Sequence, residues 1–212
     1  MGQAKYNRER NERERVILAA LPLPRVASAI QKLTEAASGA LGADCVVNSN
    51  LARLILQRLG AEARMVVGQA AWRVGPGDGD VIAHVLDTPA LNEGPNALPF
   101  HCWLEYADHI IDFSTFQLPL KAAQMDALDG QTTTVTWSPA FLCVPRLEVS
   151  PYPVVQQRSA GLFYYAADRA LHDQVMASFK SDAEDEALAW IIYNSAENLQ
   201  VFGPNHFNDQ DV

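Results

Sequence analysis

Three residues in the first half of the chain have side chains that could carry out nucleophilic chemistry together: Cys45, His101 and Asp112. Cys45 stands in the first turn of a predicted helix, where backbone N–H groups and the helix dipole favour a thiolate. A thiolate attacks acyl carbons, but it needs an imidazole to take the thiol proton and a third group to orient that imidazole. The types and the order of these residues therefore predict a Cys-His-Asp triad.

The spacing of His101 and Asp112 predicts that two neighbouring strands hold them. Two strand-like segments, 100–107 and 109–115, are separated by a tight turn at Ala107–Asp108, as in an antiparallel hairpin. Pairing across this turn puts Asp112 near residue 103, which is close enough to His101 for contact along the sheet.

The pattern along the rest of the chain predicts one α+β domain over residues 1–212, with N-terminal helices packed on an antiparallel sheet. Predicted helices cover 5–21, 25–42, 44–60, 120–130, 168–179 and 182–203, and predicted strands cover 61–75, 100–107, 109–115, 132–137, 140–144 and 161–167. Pro22 and Pro24 are expected to end the first helix, and three prolines make 145–155 irregular. A loop rich in Gly, Pro and Asn over 86–99 is expected to form a lid or cleft wall before His101.

Composition excludes several classes of function. The formal net charge of −9 and the pI near 4.9 repel phosphate backbones, so we expect no nucleic-acid partner. The sequence has no apolar run near the ~20 residues that span a bilayer, and its start has no secretory pattern, so we expect no membrane partner. Three cysteines without a CxxC spacing favour reduced thiols in a cytoplasm.

The sequence predicts neither a cofactor nor a metal. No Gly-rich phosphate loop is present. Cys45, His101 and Cys102 include metal-ligand residue types, but Cys102 is expected to point to the opposite face of its strand from His101. A shared zinc ion is therefore not expected.

Three motifs that follow a helix headed by Cys45 point to a known class of enzymes: "LGAEARMVVG" (59–68), "HCWLE" (101–105) and "DFST" (112–115). In this order they resemble the transglutaminase-like branch of the papain-like cysteine-enzyme superfamily, and the resemblance covers about residues 40–116. It implies a papain-like fold, a catalytic core in that region and the triad Cys45, His101 and Asp112. The chain is also similar to a bacterial family of unknown function built on this fold.

The resemblance is not complete around the thiol. Arylamine N-acetyltransferases use the same triad, but the Arg-Gly-Gly that precedes their cysteine is absent, since Leu41–Ala43 stand there. The oxyanion donor is open: the backbone N–H of Cys45 is one candidate and Asn48 is a second. Trp103 could be a core residue or a substrate platform. Asp44 would disfavour a thiolate unless its carboxylate faces away as a helix N-cap.

Two functions remain open from the sequence. In the first, Cys45 attacks an acyl carbon, His101 moves the proton and Asp112 orients the imidazole, which gives acyl transfer or amide hydrolysis on a peptide, amide or small acyl substrate. In the second, the fold persists as a catalytically inactive binding or scaffold module that uses the cleft for a partner. Slow reaction of all three cysteines with alkylating reagents would indicate the second function.

Overall fold

The computed structural model describes residues 2–85, 99–157 and 159–206. The helices are α1 (Gly2–Ala20), α2 (Leu23–Ala37), α3 (Cys45–Arg58), α4 (Leu118–Asp129), α5 (Tyr152–Val155), α6 (Arg169–Ser178) and α7 (Ala183–Asn194). The strands are β1 (Arg64–Arg73), β2 (Val81–His84), β3 (His101–Tyr106), β4 (His109–Asp112), β5 (Leu142–Pro145) and β6 (Phe163–Ala167). These elements confirm the predicted α+β class.

The six strands form a sheet in the order β2-β1-β3-β4-β5, with β6 also paired to β1, and each pair is antiparallel. Strand β1 is the centre of this sheet because it pairs with three neighbours. Its ten residues are buried apart from Arg64 and the half-buried Gln69, which fits an apolar run covered on both faces.

The two largest apolar clusters of the described residues lie on the two faces of the sheet. The first core contains side chains of α2, α3 and α7 together with Val67, Cys102 and Leu104. The second contains Trp72, Trp103 and their neighbours, packed with residues from α4 and from the segment that follows it. Alternation along a strand explains the division, since successive residues point to opposite faces.

Strands β2 and β3 run along the same edge of β1. Gly68 pairs with His101 and also with Ala167 of β6, while Ala70 pairs with His84 and also with β6. A strand has only two hydrogen-bonding edges, and β6 occupies one edge of β1 at both positions. Both histidines therefore lie on the other edge of β1. Their partners on β1 are two residues apart, so both histidines share a face of the sheet, and the ends of β2 and β3 meet there.

The hairpin between β3 and β4 turns at Ala107 and Asp108, as predicted, and Tyr106 pairs with His109. Both turn residues have left-handed backbone angles, with φ of 51° and 59°. This is the turn that the twist of a two-residue hairpin requires, although Asn and Gly adopt it more readily.

Several predicted boundaries were wrong. Residues 132–137 form no strand, because their described backbone bonds run from Thr136 and Trp137 to the single carbonyl of Val74. The last helix ends at Asn194, well short of residue 203. Pro24 lies in the first turn of α2, where proline needs no N–H partner. The expected lid falls, except for Pro99, outside the described residues.

Within the described residues, each helix taken singly is too short or too polar to cross a membrane. The segments Arg8–Ala20 and Leu23–Ala37 form a bent pair with 63° between them. Taken together, they have the length and the apolar composition required of a membrane span, and this rests on length and composition alone.

Candidate active site

Helix α3 begins at Cys45, and Asp44 occupies its N-cap position as predicted. The Asp44 carboxylate does not bond to the helix backbone. Its Oδ1 accepts instead from Nδ2 of Asn48 at 3.3 Å, and Oδ1 of Asn48 accepts from the Thr34 hydroxyl at 2.7 Å. This buried chain of side chains ties the start of α3 to α2.

The position of Asn48 bears on the oxyanion donor. Its side chain is fully buried, and its amide is already bonded to Thr34 and Asp44. The amide oxygen and one of the two side-chain N–H groups of Asn48 are thus already bonded, and the side chain is shielded from solvent. The backbone N–H of Cys45 is the other donor that the sequence indicated.

His101 and Asp112 are in direct contact, with 2.8 Å between Nε2 of the imidazole and Oδ2 of the carboxylate. The β3–β4 register, continued by one residue, puts Asp112 opposite Trp103, two positions from His101. Both side chains are almost completely buried, at 1% and 0% exposure. The contact leaves Nδ1 of His101 free to face another group.

The Asp112 carboxylate accepts two further hydrogen bonds. Tyr165 donates its hydroxyl to Oδ2 at 2.8 Å, and the backbone N–H of Ser114 donates to Oδ1 at 2.8 Å. Burial works to raise the pKa of Asp112, but the charge and hydrogen bond of His101 and these two donors outweigh burial and lower that pKa. Burial and the Asp112 charge raise the pKa of Tyr165 well above 10, so the phenol remains a donor.

The thiol of Cys45 interacts with the ring of His101. Burial works to raise the pKa of Cys45, but hydrogen bonding to His101, the charges of His101 and Lys121, and the backbone of Cys102 together lower it. Burial works to lower the pKa of His101, while Asp112 and Cys45 raise it to about 9. Nδ1 makes no hydrogen bond of standard geometry, so we conclude that thiol and imidazole are close but not fully aligned.

The pKa values of the other two thiols are shifted in the opposite direction, upward. Burial raises the pKa of Cys143 to about 11, and burial together with the charge of Cys45 raises that of Cys102 further. Cys45 is therefore the thiol whose surroundings favour the reactive anion.

A second histidine lies beside His101. The rings of His84 and His101 are stacked with 6.0 Å between their centres, and Trp72 packs edge-on against both. Nζ of the buried Lys121 lies 3.3 Å from Nε2 of His84. Burial and the charges of Lys121 and His101 lower the pKa of His84 well below 6.5, so its ring is neutral.

Trp103 is a core residue in this structure. It is 1% exposed, belongs to the second core, and its Nε1 lies 3.4 Å from Oε1 of Glu105. Glu105 also forms ion pairs with Arg64 and Arg146, whose side chains are largely exposed. A substrate-platform role for Trp103 has no support from this packing.

Within the described part of the chain, no group of three or more His, Cys, Asp or Glu side chains is arranged to hold a metal.

The predicted triad residues lie together, whereas Asn48 is bonded to Thr34 and Asp44 and Trp103 is packed in the second core.

The site includes residues that the sequence did not single out. Tyr165 lay in a predicted strand and Lys121 in a predicted helix, but neither belongs to a motif with the triad. From the sequence, His84 could line the cleft, but nothing singles it out. Their roles depend on pairing between distant segments, and a single sequence carries no signal for that pairing.

The chain belongs to the family described as "Protein of unknown function (DUF2026)", whose model matches residues 23–194. That match contains α2 to α7 and the whole site. A comparison with curated proteins found no match. The fold is similar to a solved structure described as "The crystal structure of genomics APC5867", with a TM-score of 0.54 and 22% identity over 80% of this chain and 76% of that one. At this identity the similarity concerns the fold alone.

Proposed function

We propose that this protein is a thiol-dependent enzyme of the papain-like, transglutaminase-like fold, which catalyses acyl transfer or amide hydrolysis through Cys45, His101 and Asp112. One observation carries the proposal: a single buried imidazole contacts a carboxylate through Nε2, and the same imidazole lowers the pKa of a thiol at a helix N-terminus. This is the arrangement that a nucleophile, its proton carrier and an orienting group require.

The electrostatics support a reactive thiolate. With a pKa raised to about 9, His101 is protonated at neutral pH, and its positive charge favours the anion of Cys45. Nε2 of His101 keeps its proton and donates it to Oδ2 of Asp112, so Nδ1 is the ring atom that exchanges a proton with sulfur.

The proposed reaction has two stages. The Cys45 thiolate attacks the acyl carbon, and the electron pair of the carbonyl moves to oxygen to give a tetrahedral oxyanion. The oxyanion collapses to a thioester, and the leaving group takes the proton of the His101 imidazolium. Water or an amine then attacks the thioester while neutral His101 accepts its proton, and the thiolate and imidazolium are restored.

The proposal is tested by site-resolved alkylation with iodoacetamide from pH 5 to 9, read by mass spectrometry, on wild type and His101→Ala. We expect Cys45 to react faster than Cys102 and Cys143, with an apparent pKa below the ~8.5 of a free thiol. The His101→Ala variant should lose this advantage. If Cys45 is as slow as the other two thiols in both proteins, the enzymatic proposal is wrong.

A specific observation favours a second candidate, the inactive binding or scaffold module. Cys45 is only 4% exposed, and the Asn48 amide is fully buried and bonded to Thr34 and Asp44. Uniformly slow thiols in the same experiment would support this alternative.

A further inference from the structure

Lys121 is in an unusual position for a lysine. It lies in the first turn of α4 with 5% of its surface exposed, and no carboxylate of a described residue lies within ion-pair distance of it. Burying an ammonium without a counter-charge is costly. Within the described residues, Lys121 is therefore a cation that a bound anion would stabilise.

His84 holds the ammonium but does not neutralise it. Because an ammonium can only donate, Nε2 of His84 must be the acceptor in the 3.3 Å contact, which keeps the imidazole neutral with its proton on Nδ1. The same ring is stacked on His101. Lys121 is thus held beside the stacked rings of His84 and His101 by a neutral group.

Two cations act on the Cys45 thiol, since the charges of His101 and Lys121 both favour its anion. Asp112 contacts His101 directly, whereas no carboxylate of a described residue pairs with Lys121, and His84 is neutral. When sulfur forms a bond to carbon, its negative charge is lost, and Lys121 no longer faces the thiolate. An oxygen anion on the group that sulfur attacks would take the place of the thiolate.

On this basis we propose that Lys121, held by His84, forms an anion-binding subsite beside Cys45 that receives a negatively charged oxygen of the reacting group. This inference rests on the proposed thiol chemistry. It adds a cation that stabilises the oxyanion to the donors that the sequence analysis considered. In water-poor surroundings such a charge acts more strongly than it would in solvent.

Two alkylating reagents that differ in charge test the subsite without a known substrate. Iodoacetate and iodoacetamide place a carboxylate and a neutral amide, respectively, next to the carbon that sulfur attacks. The rate ratio of iodoacetate to iodoacetamide at Cys45 therefore reports the local potential. We expect Lys121→Met to lower this ratio roughly tenfold, since at an effective dielectric near 20 one unit charge is worth about that factor even at about 10 Å.

Matched variants separate a local from a general effect. Lys180→Met removes the same formal charge from an exposed position and should leave the ratio unchanged. His84→Gln keeps the Lys121 charge but removes the ring that holds it, and should lower the ratio to a smaller extent. It also provides a second test if Lys121→Met does not fold.

The outcomes are distinct. If Cys45 reacts with iodoacetamide but the ratio is the same in wild type, Lys121→Met and His84→Gln, the anion subsite is wrong and the proposed function stands. If Cys45 reacts with neither reagent in wild type, the proposed function fails, and the subsite fails with it.

Discussion

Replacing Tyr165 with phenylalanine tests the hydrogen-bond network that supports the site. The change removes one hydroxyl and keeps the aromatic ring, which is 7% exposed and packs against Trp72 and Trp103. That hydroxyl donates to Asp112 and accepts from Nε1 of Trp72, each at 2.8 Å. The substitution thus removes a donor from a buried carboxylate and leaves a buried indole N–H without its acceptor.

The two losses set the expected magnitude. A hydrogen bond to a charged group contributes about 1.5–3 kcal/mol, and an unsatisfied buried donor costs about 1–3 kcal/mol. Partial relaxation around the vacant position reduces their sum, so we expect the free energy of unfolding of Tyr165→Phe to fall by about 2–4 kcal/mol at pH 7.

The loss in the free energy of unfolding of Tyr165→Phe should also depend on pH. The folded pKa of Asp112 is below its usual 3.8, so the stabilisation from its carboxylate is present above that value and is lost as pH falls through the folded pKa. Tyr165 contributes to this lowered pKa, and the difference between wild type and variant should therefore shrink at acid pH.

Urea denaturation at several pH values measures both effects. Tyr164→Phe is the matched control, because the neighbouring residue on β6 is half-buried and points to the opposite face of the sheet. It should change stability by less than about 1 kcal/mol. A Tyr165→Phe protein as stable as this control at pH 7 would show that the hydroxyl does not support an ionised Asp112.

Two further predictions concern the hairpin and the imidazole. Asp108 has a left-handed backbone that glycine adopts without strain, so Asp108→Gly should stabilise the protein by about 1 kcal/mol and raise its melting temperature. The long 3.8 Å ion pair with exposed Arg15 offsets little of this gain, and a lower melting temperature would contradict the prediction. The pKa of His101 is raised to about 9, so its stabilisation is complete below 6.5 and is lost as pH rises through 9. The unfolding free energy of wild type relative to His101→Gln should accordingly fall by about 2–3 kcal/mol between pH 6 and 10, and a pH-independent difference would argue against it.

The sequence was informative where residues close in the chain determine the structure. The helix that begins at Cys45 and the hairpin between His101 and Asp112 are local elements, so apolar spacing and turn length predict them directly. The contact of Asp112 with His101 followed from the same local register.

Contacts between distant segments could not be predicted in this way. Tyr165 reaches Asp112 because β6 pairs with β1, and Lys121 reaches His84 because α4 packs on β2. Each contact joins parts of the chain separated by more than thirty residues, and no local pattern determines which partner is chosen. The segment 132–137 was misassigned for a related reason, since its β-branched residues fit a strand but the sheet offers them only one carbonyl.

The shared edge of β1 has a consequence for how this family can diversify. His84 ends one strand and His101 begins the next, and pairing to β1 holds both. The connection between the two strands can therefore change in length or sequence while pairing to β1 keeps the two imidazoles stacked. Exchanging this connection between members of the family is a direct test of whether it determines the specificity of the proposed enzyme.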